Sequence, residues 1–140
     1  MAASGRRALL LSHASKLLDM VEGAAVARLG RRAVQRIDSS TPSAERHAAV
    51  VAFRDEACPV SLFLMTARSC GLGTDLPRVD AVLLFDSDWH PALDLQALRR
   101  AHRIGRPGEL VVLRLVAGAT VEDAAADEAL TSAPAAEAAL

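Results

Sequence analysis

Lysine is almost missing from this chain: of its 16 lysine and arginine residues only Lys16 is a lysine, and the formal net charge is -1. A near-neutral protein carries no global basic field that would announce nucleic acid. The arginine excess has two readings, a GC-rich genome or selection for planar phosphate recognition, and composition alone does not separate them. Cysteine is scarce as well. Cys58 and Cys70 form no CxxC pair, which argues against a disulfide framework or structural zinc and fits a reducing compartment. His13, His47, His90 and His102 show no ligand spacing with one another or with the cysteines, so no metal site is expected. No apolar run approaches membrane-spanning length, and no membrane partner is expected. The stretch from Met1 to Leu18 lacks acids in the manner of a transit peptide. Its apolar core, Ala8 to Leu11, is too short for a signal sequence and reads as a strand followed by a helix start. The phosphate-cradling motif GxxxxGK[ST] is also absent, since Lys16 follows Ser15 rather than glycine. No internal repeat is evident.

What is present is 140 residues, 51% of them apolar, enough for one core and too little for two ordinary domains. Ala8 to Ser12 is a short apolar run. Ser15 to Leu29 follows with Leu17, Leu18, Val21, Ala25 and Leu29 at helical spacing, Ser15 as candidate cap and Gly30 as terminator. A strand over Ala33 to Ile37 leads into a helix with Pro42 at its first position, Glu45 at capping-box spacing, and an end near Phe53. Val60 to Met65 and Ala81 to Phe85 are nearly unbroken apolar runs, as strands covered on both faces should be. A helix from about Ala92 to Arg103 and a strand from Leu110 to Val116 complete the pattern. Strand and helix alternate throughout, which predicts an α/β domain with a mostly parallel sheet flanked by helices, and ligands beyond the carboxyl ends of the strands. From Ala117 the chain turns alanine-rich.

Chemistry concentrates in two places. Arg100 and Arg103 lie three apart, on one face near a helix C-terminus. Charge spacing leaves open whether they solvate a helix or form a phosphate-gripping pair of guanidinium forks. The loop Arg68 to Asp75 contains Gly71 and Gly73, which permit close approach of backbone to a phosphate. Asp55-Glu56 imitates a magnesium-holding acidic pair but ends an amphipathic helix instead of a buried strand, and Asp127-Glu128 sits in the tail. Neither is read as a metal site.

Three segments together resemble a known family: Phe63 to Leu76, Val79 to Pro91, and Asp94 to Gly105, the last reading Asp-Leu-Gln-Ala-Leu-Arg-Arg-Ala-His-Arg-Ile-Gly. They are similar in order and spacing to the fifth and sixth helicase motifs of sucrose-nonfermenting-type chromatin-remodelling ATPases, with the chromodomain-helicase group nearest. Ala8 to His13 resembles the fourth motif, and Val111 to Asp123 resembles the strand and "TVE" turn after the sixth. The resemblance implies a RecA-like, P-loop NTPase-type second lobe over residues 1–123 and an alanine-rich tail, helical or disordered, over 124–140. It implies ATP with Mg2+ held mainly by a separate first lobe, in cis or in trans, and double-stranded DNA or the nucleosome as partner, in the nucleus. Residue by residue, it assigns Arg100 and Arg103 to the γ-phosphate and Gly71, Gly73, Asp75 and Gln96 to the nucleotide side. Ser12, Ser40, Thr41, Arg46, Thr66 and Arg68 fall to the DNA backbone. Several positions depart from the family pattern: Ser39 for Gly, Ser69-Cys70 for Ala-Gly, Asp75 for Asn, His90 for Asn and Arg106 for Gln. A carboxylate at position 75 opposes phosphate by roughly 1 kcal/mol at 4 Å in water, and about 4 at an effective dielectric of 20, unless Arg68 or Arg78 neutralises it. The expected function is therefore half of a DNA translocase, inactive alone. The alternative is a non-enzymatic module, derived from that lobe, that binds DNA or a remodeller. An RNA-helicase lobe fits less well because Asp-Trp-His-Pro and Arg-Ala-His-Arg-Ile-Gly are of the remodeller type.

Overall fold

In the computed structural model the described residues are 6–70, 76, 79–86, 91–101 and 109–116, with backbone only at Cys70, Pro91, Leu93 and Arg100. Five strands, β1 (Ala8–Ser12), β2 (Val34–Ile37), β3 (Leu62–Thr66), β4 (Ala81–Leu84) and β5 (Val111–Arg114), alternate with helices α1 (Ser15–Leu29), α2 (Ser43–Arg54), α3 (Ala67–Cys70) and α4 (Pro91–Ala101). A 3-10 turn over Arg31–Ala33 precedes β2. All strand pairs are parallel, in the order β2-β3-β1-β4-β5. The α/β reading and its parallel sheet hold.

Strand periodicity sorts the core into two layers. Leu9, Leu11, Phe63, Met65, Val82 and Leu84 point to one face and pack with Val50 and Phe53 of α2 and Ala97 and Ala101 of α4. Phe53 meets Phe63 edge to face, with ring centroids 4.9 Å apart, the arrangement the ring quadrupoles favour. Leu10 and Leu64 point to the other face and pack with Val34, Leu18 and the α1 stripe of Val21, Ala25, Val26 and Leu29. β1 is buried at every residue because a strand or helix covers each of its sides, which is why its sequence reads as an unbroken apolar run.

Local ends differ from expectation by small steps. α1 starts at Ser15, but its cap position is Ala14 and no side chain caps it; the Ala14 N–H instead donates to Ser12 Oγ at 3.1 Å. Gly30 does end α1, at φ +84°, with its N–H on the Val26 carbonyl at 2.9 Å. Pro42 occupies the cap position of α2 rather than its first turn, and Glu45 takes part in no side-chain cap. Thr41 is drawn the other way, accepting the Asp38 N–H at 3.1 Å. β3 begins at Leu62 rather than Val60, where the ladders to Ala8 and Val34 start.

At the amino end of the sheet Arg7 is buried to 8% exposure. Its guanidinium donates to the carbonyls of Phe53, Asp55 (2.7 Å), Glu56 (3.2 Å) and Cys58 (3.2 Å) and lies 5.0 Å from the Phe53 ring centroid. The C-terminus of α2 and the turn after it thus find donors for carbonyls that the helix leaves unpaired.

Candidate functional site

Connections from β1 and β4 run to opposite sides of the sheet, since β1 leads through α1 to β2 and β4 leads through α4 to β5. That reversal opens a crevice at their carboxyl ends, the place where open parallel sheets bind ligands. Asp86, just past β4, holds the β1–α1 turn from this crevice: Ser12 Oγ donates to Oδ2 at 3.0 Å and the His13 N–H donates to Oδ1 at 2.8 Å. His13 Nε2 lies 2.9 Å from Oδ1 of Asp94, in the first turn of α4. The other Asp94 oxygen has no hydrogen bond and faces the Arg114 guanidinium at 3.5 Å. Asp94 is 1% exposed, so α4 is tied to the ends of β1 and β5 through one buried carboxylate. An unpaired buried carboxylate would be costly, and the flanking histidine and arginine offset that cost.

The DNA-side residues from the sequence reading all sit on or after the carboxyl ends of β1, β2 and β3, but with different freedom. Ser40 is exposed and Thr41 half-buried, in the turn after β2. Ser40 Oγ and N–H both donate to Asp38 Oδ1, at 2.5 and 2.9 Å. These bonds from Ser40, followed by Arg36, hold the Asp38 carboxyl below its ordinary range. Arg46, on the first turns of α2, reaches back to the Thr41 carbonyl at 3.1 Å, while its Nε is buried without an acceptor. Arg68 is exposed on α3. Ser12 and Thr66 lie inside the edge, 0% and 5% exposed; Thr66 Oγ1 is 2.7 Å from Ser69 Oγ.

On the nucleotide side Gln96 is exposed on α4. The Arg100 backbone belongs to the same helix, and its side chain lies outside the described atoms, as do Arg103, Gly71, Gly73 and Asp75 altogether. The residues nearest the glycine loop are firmly placed, with Leu76 and Val79 both fully buried in the core layer that holds Leu84 and Ala97. Among the described residues no three His, Cys, Asp or Glu side chains converge as a metal site requires. Neither Asp86 nor Asp94 entered the sequence reading as a site residue, and His13 was weighed only as a zinc ligand. Their one sequence signal is position, each lying at a strand end or in the helix turn after it, and it becomes legible only once β4 is known to lie beside β1.

The model of the helicase conserved C-terminal domain matches residues 1–105. The chain belongs to that family. It is 41% identical over 119 residues to Protein CHROMATIN REMODELING 4 of Arabidopsis thaliana, covering 85% of the chain and 5% of that protein. It is equally identical, 41% over 119 residues, to the ISWI chromatin-remodeling complex ATPase ISW1 of Saccharomyces cerevisiae, covering 85% of the chain and 10% of the relative. The solved C-terminal part of the Fun30 ATPase domain superposes with a TM-score of 0.80 at 25% identity, over 91% of this chain and 40% of that one. This helicase C-terminal lobe is therefore of the chromatin-remodelling ATPase type and RecA-like in fold. It spans a tenth or less of the length of these curated relatives, and their equal identities do not sort it among remodeller groups.

Proposed function

We propose that this lobe, read as residues 1–123, is the arginine-supplying half of a DNA-dependent ATPase that remodels chromatin in the nucleus. ATP and Mg2+ are held mainly by a phosphate-loop lobe outside this sequence. The observation that carries the reading is the crevice at the β1–β4 reversal, with α4 anchored at its mouth by Asp94, in a chain whose sequence holds no GxxxxGK[ST]. α4 carries Gln96 and Arg100 and leads to Arg103. Guanidiniums brought to a transferring phosphoryl group accelerate its transfer by roughly 10³ to 10⁵, and a helix tied at its first turn delivers them without reorganisation at the moment of reaction.

DNA falls to the other half of the same edge. The first amides of α2 have no side-chain acceptor, so that end of a 12-residue helix offers donors and a partial positive charge to a phosphate. Ser40, Thr41, Arg46 and Arg68 add hydroxyl and guanidinium donors. Ser12 and Thr66, whose hydroxyls are occupied within the chain, serve by shaping the edge. Contacts of this kind grip the backbone and carry little sequence information, as a translocating motor requires. Steady-state ATP hydrolysis by the purified chain, with and without double-stranded DNA, tests the half-site reading: no turnover is expected, and DNA-stimulated turnover by the chain alone sinks it.

A second reading, a non-enzymatic module that binds DNA or a remodeller, draws on Asp75 and on Ser69-Cys70, which depart from the family pattern beside the glycine loop. It is separated from the first by adding the chain to a phosphate-loop lobe with double-stranded DNA: the module reading expects binding without ATP turnover.

A further inference from the structure

The strand order β2-β3-β1-β4-β5 makes the carboxyl end of β1 a seam between two halves of the edge. On one side lie the ends of β2 and β3 with Ser40, Thr41 and Arg68; on the other lie Asp86 and α4 with Gln96. His13 stands on that seam and is held from both of its own ends. Its main-chain N–H donates to Asp86 Oδ1 at 2.8 Å, and its ring Nε2 lies 2.9 Å from Asp94 Oδ1. Among the described residues, the side-chain hydrogen bonds that cross the seam at the carboxyl end all meet at Ser12 and His13.

The bond to Asp94 has no ready substitute. It runs from Nε2–H to a carboxylate, which as an ion only accepts. The two side chains are 19% and 2% exposed, so water competes little for it. The second Asp94 oxygen accepts no hydrogen bond and has only the Arg114 guanidinium near it, at 3.5 Å. A buried carboxylate that loses its donor keeps the whole cost of its desolvation. The β1–α1 turn therefore carries α4 with it when it shifts, or breaks a bond that is costly to lose.

We infer that His13 is a positioning residue that couples the DNA-facing half of the edge to α4, so that contact with DNA beside the β1–α1 turn sets the placement of the helix that carries Arg100. The coupling rests on the proposed reading of α4 as the arginine-bearing helix of an ATPase. Its geometry is specific. A glutamine amide nitrogen lies as many bonds from the backbone as the imidazole Nε2, whereas an asparagine nitrogen ends at the place of Nδ1. His13→Gln should keep the link to Asp94, and His13→Asn should lose it.

The test compares the full-length wild type with His13→Ala, His13→Gln and His13→Asn, each mixed with a phosphate-loop lobe from a chromatin-remodelling relative. ATP turnover is measured without DNA and at saturating double-stranded DNA. His13→Ala and His13→Asn should lower the ratio of DNA-stimulated to basal kcat about tenfold, with KM for ATP little changed, and His13→Gln should restore most of it. Hydrogen exchange of the chain alone gives a second readout that does not involve ATP: α4 should exchange faster in His13→Ala and His13→Asn than in the wild type and His13→Gln, with α2 unchanged. The contrast between His13→Gln and His13→Asn stands on its own if circular dichroism finds His13→Ala unfolded. A ratio that all three variants leave unchanged, restoration by Asn as complete as by Gln, or equal α4 exchange in the wild type and His13→Asn overturns the inference. No turnover from a wild-type pair that demonstrably binds, with α4 exchange responding as expected, sinks the ATPase reading and the coupling with it, and leaves only the His13–Asp94 anchor.

Discussion

The two ends of the sheet use polar residues in opposite ways. At the amino end Arg7 spends its guanidinium on the carbonyls that close α2 and its following turn, and its own N–H goes to Asp80 at 2.7 Å. That end is sealed by backbone. At the carboxyl end the described polar groups come from many separate elements and turns, some meeting across the β1–β4 reversal, as Ser12, His13, Asp86 and Asp94 do, and others exposed after β2 and on α3, as Ser40 and Arg68 are. Residues of the same chemical type thus hold the fold together at one end and offer a surface at the other, and the difference is set by strand direction: helix C-termini gather at the amino end, helix N-termini and strand ends at the carboxyl end.

That contrast can be broken from either side. The largest effect is expected at the carboxyl end, where Arg100→Ala in the assembled two-lobed ATPase should lower kcat by roughly 10³-fold or more while leaving the thermal midpoint of the chain nearly unchanged. Arg7→Ala should do the reverse: unfolding in urea should show a loss of about 3 kcal/mol, since several buried carbonyls lose a charged donor at once. Arg7→Lys should recover part of that loss, because an ammonium cannot span the same carbonyls with one planar fork. Asp94→Ala joins the two ends of the comparison. It frees α4 from His13 and Arg114, should cost about 1–3 kcal/mol, and should increase hydrogen exchange in α4 more than in α2.

The smallest effect is one of pH. Hydrogen bonds from Arg31 and then Arg36 hold the Glu22 carboxyl low, against the opposing effect of burial, and Asp38 is held low chiefly by Ser40. Arg36 bridges Asp19, Glu22 and Asp38, and these carboxylates keep its guanidinium charged in spite of burial. Groups with folded pKa values below their unfolded ones contribute stability that is complete above the ordinary carboxylate range and fades as pH falls through the folded values. Thermal melts should therefore be flat near neutrality and drop below about pH 4. Arg36→Ala should flatten that acid limb.

Much of the fold could be read from one sequence because the strands are buried on both faces and announce themselves as apolar runs. Gly30 announced the end of α1 for an equally local reason. The caps of α1 and α2 fall one position from those expected, because the polar side chains ahead of each helix close their own local turns instead, Ser12 with the Ala14 N–H and Asp38 with Ser40. Arg7 carried no signal, since its partners are main-chain carbonyls some fifty residues away. The Asp86–His13–Asp94 cluster could not be read without strand order: β4 lies beside β1 only because the chain crosses over it after β3. The family motifs drew attention to the edge that matters: of the described residues they assigned, Ser40, Arg68 and Gln96 are exposed and Ser12 and Thr66 are buried, while Asp86 and Asp94, which hold the edge in shape, were not among them.

As proposed, this lobe completes an ATPase site that it does not contain. Adding the purified chain to a separately prepared phosphate-loop lobe from a chromatin-remodelling relative, with double-stranded DNA present, tests it directly. The expected result is ATP turnover that neither lobe shows alone and that disappears with Arg100→Ala or Arg103→Ala. Turnover unchanged by both substitutions, or no turnover from a mixture in which the two lobes demonstrably bind each other, would contradict it.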